Sequence, residues 1–250
     1  MSEPLEVTIM TMNMRFGLAR DGKNGWFNRK SLVQKLLHEH PATFMGFQEL
    51  NHFQMGFLQR ELRAHHFIGW HNPALQWWQS NAIFYHHGWR CLEQKHCFLS
   101  HTPDVESSKL PGSQWPRQCV MGLFQHQEQQ LIICNTHFDF KESVQEESAR
   151  LVVSFLEDFP DDRPVLIVGD FNCSPGSGAY RLFKAAGFSE VFENHHGTTF
   201  HEFKGVETQM HIDWILYRGP IQLMHKKVLT DSFDGQFPSD HYPVVARFQI

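Results

Sequence analysis

Six short apolar runs, each meeting a polar residue suited to phosphate chemistry, constrain this chain more than any other feature. VTIMTMN ends at Asn13, FMGFQE at Glu49, LIICNTHFD at His137 and Asp139, and VLIVGDFN at Asp170 and Asn172. HIDWIL surrounds Asp213, and SDHYPVV sets Asp240 and His241 just before its apolar half. Short runs rich in Ile, Val and Phe read as buried strands. Acids and histidines at their ends fall on the rim of a sheet, where the sites of α/β folds gather. Packing alone does not call for six such placements spread over the whole chain.

The patterning predicts strands at 7–13, 43–48, 81–85, 94–99, 119–124, 131–137, 165–170, 212–217 and 243–249. The clearest helix is 143–159, with a capping box from Ser143 and Glu146 and a stop at Pro160. Its apolar stripe is Val144, Ser148, Leu151, Val152, Phe155 and Phe159. Weaker helices are expected at 28–39, 53–63 and 177–186. Strands outnumber helices, and several follow one another through short turns. That favours an α+β arrangement of two mixed β-sheets packed face to face, with helices outside, over strict βαβ winding. No Pro/Gly/Ser-rich linker divides the runs, so 1–250 is read as one domain.

A net charge of −5 argues against tight, nonspecific binding of duplex DNA, which runs on neutralising phosphates with Lys and Arg. Acids clustered around a cation would make that formal count misleading. The five cysteines are odd in number and scattered without a CxxC, and Cys97 and Cys134 lie inside apolar runs. Free thiols in a reducing compartment are expected. Cys91, His96 and Cys97 lack a second ligand pair, so zinc is not expected there. With no charged-then-apolar leader and no apolar stretch near about 18 residues, the expected location is cytoplasmic, without a membrane. The histidine pairs His65–His66, His86–His87 and His195–His196 read as solvated.

The chemistry concentrates in two motifs. In an extended chain residues i and i+2 share a face, so Asp170 and Asn172 of GDFN point at one ligand. A carboxylate and an amide suit Mg²⁺ and an attacking water, although an Asp/Asn turn after a strand is common on its own. SDHYPV pairs Asp240 with His241 before a strand. A histidine acting in proton transfer needs a carboxylate to fix its tautomer, and Asp213 is the candidate partner. No Cys or Ser sits in a nucleophile setting, so a covalent intermediate is not expected.

Taken together, TMNMRFG, GFQE, NTHFD, GDFN, HIDWIL and SDHYPV resemble the ordered motif set of the endonuclease/exonuclease/phosphatase superfamily, over residues 7–246. DGKNGWFNRK, SNAIFY, CFLSHTPD and TTFHEFKG resemble a branch of small bacterial members. The resemblance implies a four-layer α/β sandwich and a phosphoesterase using Mg²⁺ or Mn²⁺. It implies Glu49 as the principal metal ligand, assisted by Asn13 and Asp240. Asp170 would orient or deprotonate the attacking water, and Asn172 would position water or phosphate. His137 would contact the scissile phosphate, and His241, paired with Asp213, would be the other phosphate-facing imidazole. Arg15 and Arg117 are candidate phosphate contacts, and Asp139, which fits the THFD pattern, is a further substrate-binding candidate whose role the pattern does not fix. The position before Ile-Asp in HIDWIL, more often Arg or Lys in the family, is His211 here. If it touches substrate, a permanent charge has become a pH-dependent one.

Substrates divide between nucleic acid and small phosphoesters. Segment 51–80 carries only Arg60 and Arg63 as basic residues other than histidine, which favours a short phosphodiester or a single strand over duplex DNA. Trp70, Trp77 and Trp78 would stack bases or line a pocket for an organic group. The competing readings are a phosphate-binding module without turnover, a phosphomonoesterase and a DNA-repair endonuclease.

Overall fold

The computed structural model describes residues 5–69, 78–193 and 197–250. His195, His196, Trp70 and Trp77 lie outside those residues. Two six-stranded sheets form the centre. The first has strand order β11 (Gln222–Val228), β12 (Val244–Gln249), β1 (Glu6–Asn13), β2 (Phe44–Leu50), β4 (Ser80–His86), β3 (His65–Ile68). The second runs β5 (Arg90–Phe98), β6 (Gln118–His126), β7 (Gln129–His137), β8 (Val165–Asp170), β10 (Asp213–Arg218), β9 (Ser189–Glu190). Pairs β1–β2 and β7–β8 are parallel, and the remaining neighbours are antiparallel.

Side chains alternate between the faces of each strand, which builds four layers. Val7, Ile9, Phe44 and Ile83 of the first sheet meet Ile133, Leu166, Val168 and Ile215 of the second in the central core. The opposite faces pack on helices. Met10, Met45, Phe47 and Phe84 lie under α1 (Trp26–Glu39) and α2 (His52–Glu61). Cys134, Ile167, Trp214 and Leu216 lie under α3 (Glu142–Leu156) and α4 (Gly178–Ala185).

The layers are closest beneath one rim. Gly46 faces the second sheet, and a Cβ there would come within 2.5 Å of Val168 Cγ2. Beside it a buried polar tie crosses the gap. Asn135 donates from Nδ2 to the carbonyls of Phe47 and Ala82, each at 2.9 Å, and its Oδ1 accepts from Gln48 Nε2 at 2.7 Å. Gln48 also donates to Thr11 Oγ1 at 3.0 Å. Among the described residues no helix is long and apolar enough to cross a membrane.

Four elements differ from the sequence reading. Helix α3 starts at Glu142 with Lys141 as its cap and makes no side-chain capping bond, so Ser143 and Glu146 do not form the expected box. Instead Gln145 Nε2 fastens the helix start by donating to the carbonyls of Asp139 (2.8 Å) and Asn172 (2.9 Å). Strands β3, β9 and β11 were not anticipated, because β9 is two residues long and β11 is a largely exposed edge with no apolar alternation. The His65–His66 pair lies in β3. His66 is exposed, but His65 is half-buried with Nε2 at 2.9 Å from the Ala42 carbonyl oxygen, so the solvated reading fails for it.

Candidate active site

Strand register assembles one row of the site. His137 pairs with Asp170 across β7–β8, and Asp170 with Asp213 across β8–β10, so three adjacent strands of the second sheet end side by side. Each falls on the inner face by alternation, in phase with Ile133, Val168 and Ile215. Gly169 lets β8 reach this rim: its φ is +152°, and a Cβ would stand 2.0 Å from the Thr136 carbonyl oxygen. Across the gap Asn13 ends β1 on the same inner face, two residues beyond Thr11. Alternation alone would turn Glu49 outward. A break in the β2–β4 register between Phe47 and Leu50, with φ +62° at Glu49, turns its carboxylate in. Arg15 (φ +56°) and Asn172 (φ +50°) are also left-handed. Such backbone in non-glycine residues is costly and clusters at functional sites.

Asn13 joins the two halves. Its Nδ2 donates to Asp170 Oδ2 at 2.9 Å and to Glu49 Oε1 at 3.2 Å, while its Oδ1 accepts from the Arg15 amide at 2.8 Å. Glu49 Oε2 accepts from the Phe16 amide at 2.6 Å. Asp240 enters from the segment before β12. Its Oδ1 lies 3.2 Å from Ser239 Oγ, whose hydroxyl donates to the Asn13 carbonyl at 2.7 Å. Arg15 stands beside this group, paired with Asp21 at 2.9 Å and 3.5 Å from Asp240 Oδ2.

The two histidines differ in charge state. His241 Nδ1 lies 2.9 Å from Asp213 Oδ2, and its Nε2 faces Asp170 Oδ2 at 3.9 Å. Burial alone would lower its pKa, but the carboxylates of Asp213 and Asp170 outweigh that and push it up to about 10. His241 is therefore an imidazolium. His137 Nε2 receives hydrogen bonds from Arg117 Nη1 and Asn172 Nδ2, both at 3.0 Å. A guanidinium only donates, so that nitrogen is unprotonated. Burial, then the charges of Arg117 and His241, hold the His137 pKa well below its usual value. Asp170 is pushed up to about 7 by burial and by neighbouring Asp213.

Arg117 is almost fully buried, with Nε 3.7 Å from Asp139 Oδ2. Asp139 itself is not on the cleft. Its Oδ2 accepts from Ser113 Oγ (3.0 Å), the Gln114 amide (2.9 Å) and the Trp115 amide (3.3 Å), so it braces the loop that delivers Arg117. The expected substrate contact by His211 is corrected. It is 1% exposed, with Nδ1 2.7 Å from the Gly197 carbonyl oxygen and Nε2 3.6 Å from buried Glu190 Oε1. A residue packed in this way cannot meet substrate.

Sequence reasoning missed several residues that shape the site. Buried Arg29 donates to the carbonyls of Asn24, Met14, Pro238 and Arg15 at 2.7–3.0 Å, tying the Asn13 and Asp240 segments to α1. Thr199 Oγ1 accepts from the amides of Ile212 and Asp213 at 2.9 and 3.1 Å. Arg29 lies in GWFNRK and Thr199 in TTFHEFKG, stretches noted only as branch signatures.

The donor set suits a hard divalent cation: carboxylates, an amide and an imidazole around a narrow gap. Asp170, Asp213 and His241 have donor atoms within 4.8 Å of one another. Asp213 Oδ1 is buried without a hydrogen-bond partner. Because His241 Nδ1 is committed to Asp213, the more open oxygens of Glu49, with Asp240 and Asn13 nearby, fit a cation better. The Asn13 Nδ2 donor already sits between two carboxylates, the kind of place a cation occupies.

The model of the endonuclease/exonuclease/phosphatase family matches residues 10–241. The chain belongs to that family. Members of the endonuclease/exonuclease/phosphatase family are phosphoester hydrolases, and the family sandwich is the one described above. A family protein from Bacteroides thetaiotaomicron is 25% identical, with TM-score 0.91 over 99% of both chains. A mannosyl-6-phosphatase from the same organism is 25% identical, with TM-score 0.89 over 97% of this chain and 99% of its own. D. rerio TDP2, complexed with a single-strand DNA product, shares the fold at 18% identity and TM-score 0.79, over 97% of this chain and 98% of its own. No curated protein matches the sequence.

Proposed function

We propose that the protein is a phosphoesterase dependent on Mg²⁺ or Mn²⁺ that hydrolyses a phosphodiester by in-line attack of water. The substrate is a small phosphodiester or single-stranded nucleic acid, and residues 1–250 act as one domain. The observation that carries this reading is the Asn13 amide linking Glu49 of one sheet to Asp170 of the other at 3.2 and 2.9 Å, with both imidazoles against Asp170.

Glu49, Asp240 and Asn13 would hold the cation, with Arg15 orienting the carboxylates. A bound cation would supply Lewis-acid stabilisation of the negative charge on the phosphate. Asp170, with a pKa near the working pH, takes the proton of the attacking water, and Asn172 positions that water. Arg117 and Asn172, whose donors meet at His137 Nε2, turn towards phosphate oxygens when substrate enters. His241, held charged by Asp213, stabilises the negative charge that builds on the phosphate and leaving oxygen. Five free cysteines suit a reducing, cytoplasmic setting.

The test is hydrolysis of bis(p-nitrophenyl) phosphate and p-nitrophenyl phosphate with Mn²⁺ and with EDTA. Metal-dependent release from the diester is expected to exceed that from the monoester. The reverse preference would make this a phosphomonoesterase, a reading the mannosyl-6-phosphatase likeness favours. No metal-dependent release from either ester would leave a binding module.

Asp213→Asn separates the ion pair from a metal-binding role. With that anion gone, only Asp170 and Asp240 oppose burial, and the His241 pKa falls from about 10. A reaction that needs the imidazolium loses rate as pH rises through that pKa. The alkaline limb of the pH–rate profile is therefore expected to move down by roughly two units or more, the scale of an opposite charge in contact. The concentration of Mn²⁺ giving half-maximal rate should stay constant. A defect wholly in that concentration would make Asp213 a ligand instead.

A further inference from the structure

A cavity of about 440 Å³ opens from the His137 side of the site, within the roughly 300–1,000 Å³ range of pockets that take small organic molecules. Phe16, Trp78, Trp115 and Pro116 supply its apolar lining, and Arg117 and His137 form the end nearest Asp170. Two of its amide side chains are already engaged. Asn81 Nδ2 donates to the Gln118 carbonyl at 2.9 Å, while Gln118 Nε2 donates to the Gln79 carbonyl at 3.3 Å and its Oε1 meets His96 Nε2 at 2.9 Å. What the cavity offers a ligand is therefore mainly ring faces and carbon. Trp115 is 56% exposed, and its loop is braced through backbone by Asp139, which accepts from the Gln114 and Trp115 amides.

We propose that this slot binds the alcohol part of the substrate and selects a flat, largely apolar ring, such as a nucleobase, over a hydroxyl-rich sugar. The inference rests on the phosphoesterase reading only for where the phosphate sits. A ring lying between Trp115 and Phe16 gains stacking, which tolerates many ring types. A hexose would bring several hydroxyl groups to a wall made mainly of aromatic rings and Pro116, where Gln118 and an Asn81 N–H are already engaged, and each hydroxyl buried without a partner disfavours binding. The slot thus separates this chain's substrate class from that of the sugar phosphatase it resembles in fold.

Thymidine 5′-phosphate and glucose 6-phosphate test this cleanly, each as monoester and as methyl diester, because both leave through a primary alkoxide. With Mn²⁺, kcat/KM for the thymidine ester is expected to exceed that for the matching glucose ester by roughly 10-fold or more, the scale of one base–aromatic stack. Trp115→Ala should bring the ratio towards 1, and Trp115→Phe should restore most of it. Equal kcat/KM for the two alcohols, or a ratio that Trp115→Ala leaves unmoved, would overturn the slot. Equilibrium dialysis with the same esters in EDTA reads occupancy without turnover. Thymidine ester binding that Trp115→Ala abolishes, with none of the four esters hydrolysed, would keep the slot and reject the phosphoesterase. Neither binding nor hydrolysis would overturn both.

Discussion

Asp170→Asn is expected to lower kcat by roughly 10²–10⁴-fold, the usual contribution of a positioned general base. The change is nearly isosteric. The new side chain can still accept the hydrogen bond that Asp170 Oδ1 takes from the Asn172 amide at 2.9 Å, while its NH2 replaces the oxygen that accepts from Asn13 Nδ2, so that one bond across the rim is given up. What also goes is the ability to take a proton. Stability should move the other way. The folded pKa of about 7 lies above the ordinary 3.8, so the native state favours the neutral carboxyl. That advantage is complete below about pH 3.8 and is lost as pH rises through 7. At pH 8 without divalent cation, the variant should therefore melt higher than the wild type. Turnover within about three-fold of wild type would remove Asp170 as the base, and a lower melting temperature would show that its burial is offset by other contacts.

Glu49→Gln should be nearly as damaging and for a different reason. One charged hard oxygen is exchanged for a neutral one at the place that best fits the cation, so metal affinity falls. Activity at limiting Mn²⁺ is expected to drop by roughly 10²-fold, near the upper end of losses seen when metal sites are weakened. Excess Mn²⁺ should restore part of it. Glutamine keeps one acceptor oxygen in place of the two that serve the Phe16 amide and Asn13, so one of those hydrogen bonds is lost; circular dichroism should stay the same and the melting temperature should fall only slightly. An unchanged metal-activation curve would take Glu49 out of the cation site.

Most of the candidate row was legible because strands alternate. Once 131–137, 165–170 and 212–217 read as inward-facing strands, His137, Asp170 and Asp213 had to share a face, and register then set them side by side. The pairing of Asp213 with His241 followed from elimination among neighbours. Glu49 was found by its motif, and the turn that aims it, a register break with left-handed backbone, leaves no period in the sequence. His211 and Asp139 mislead for a related reason. Both sit beside site residues in the chain, but one step past a strand end decides whether a side chain meets the cleft or the interior. Trp115 and Arg29 stayed hidden because an exposed loop tryptophan and a helix arginine look ordinary until distant loops close around them.

The hydrogen bonds from Asn135 to Phe47 and Ala82, and from Gln48 to Asn135, run from one sheet to the other directly under the cleft. Apolar contact holds layers together but is indifferent to small lateral slips, because it has no direction. Hydrogen bonds do have direction, and these fix the offset between the wall carrying Glu49 and the wall carrying Asp170. Misplacing reacting groups by about 1 Å can cost on the order of 10²-fold in rate. The chain thus sets a gauge below its own cleft: thermal sliding of the two walls would detune the chemistry long before either sheet came apart, and these three amide contacts resist it.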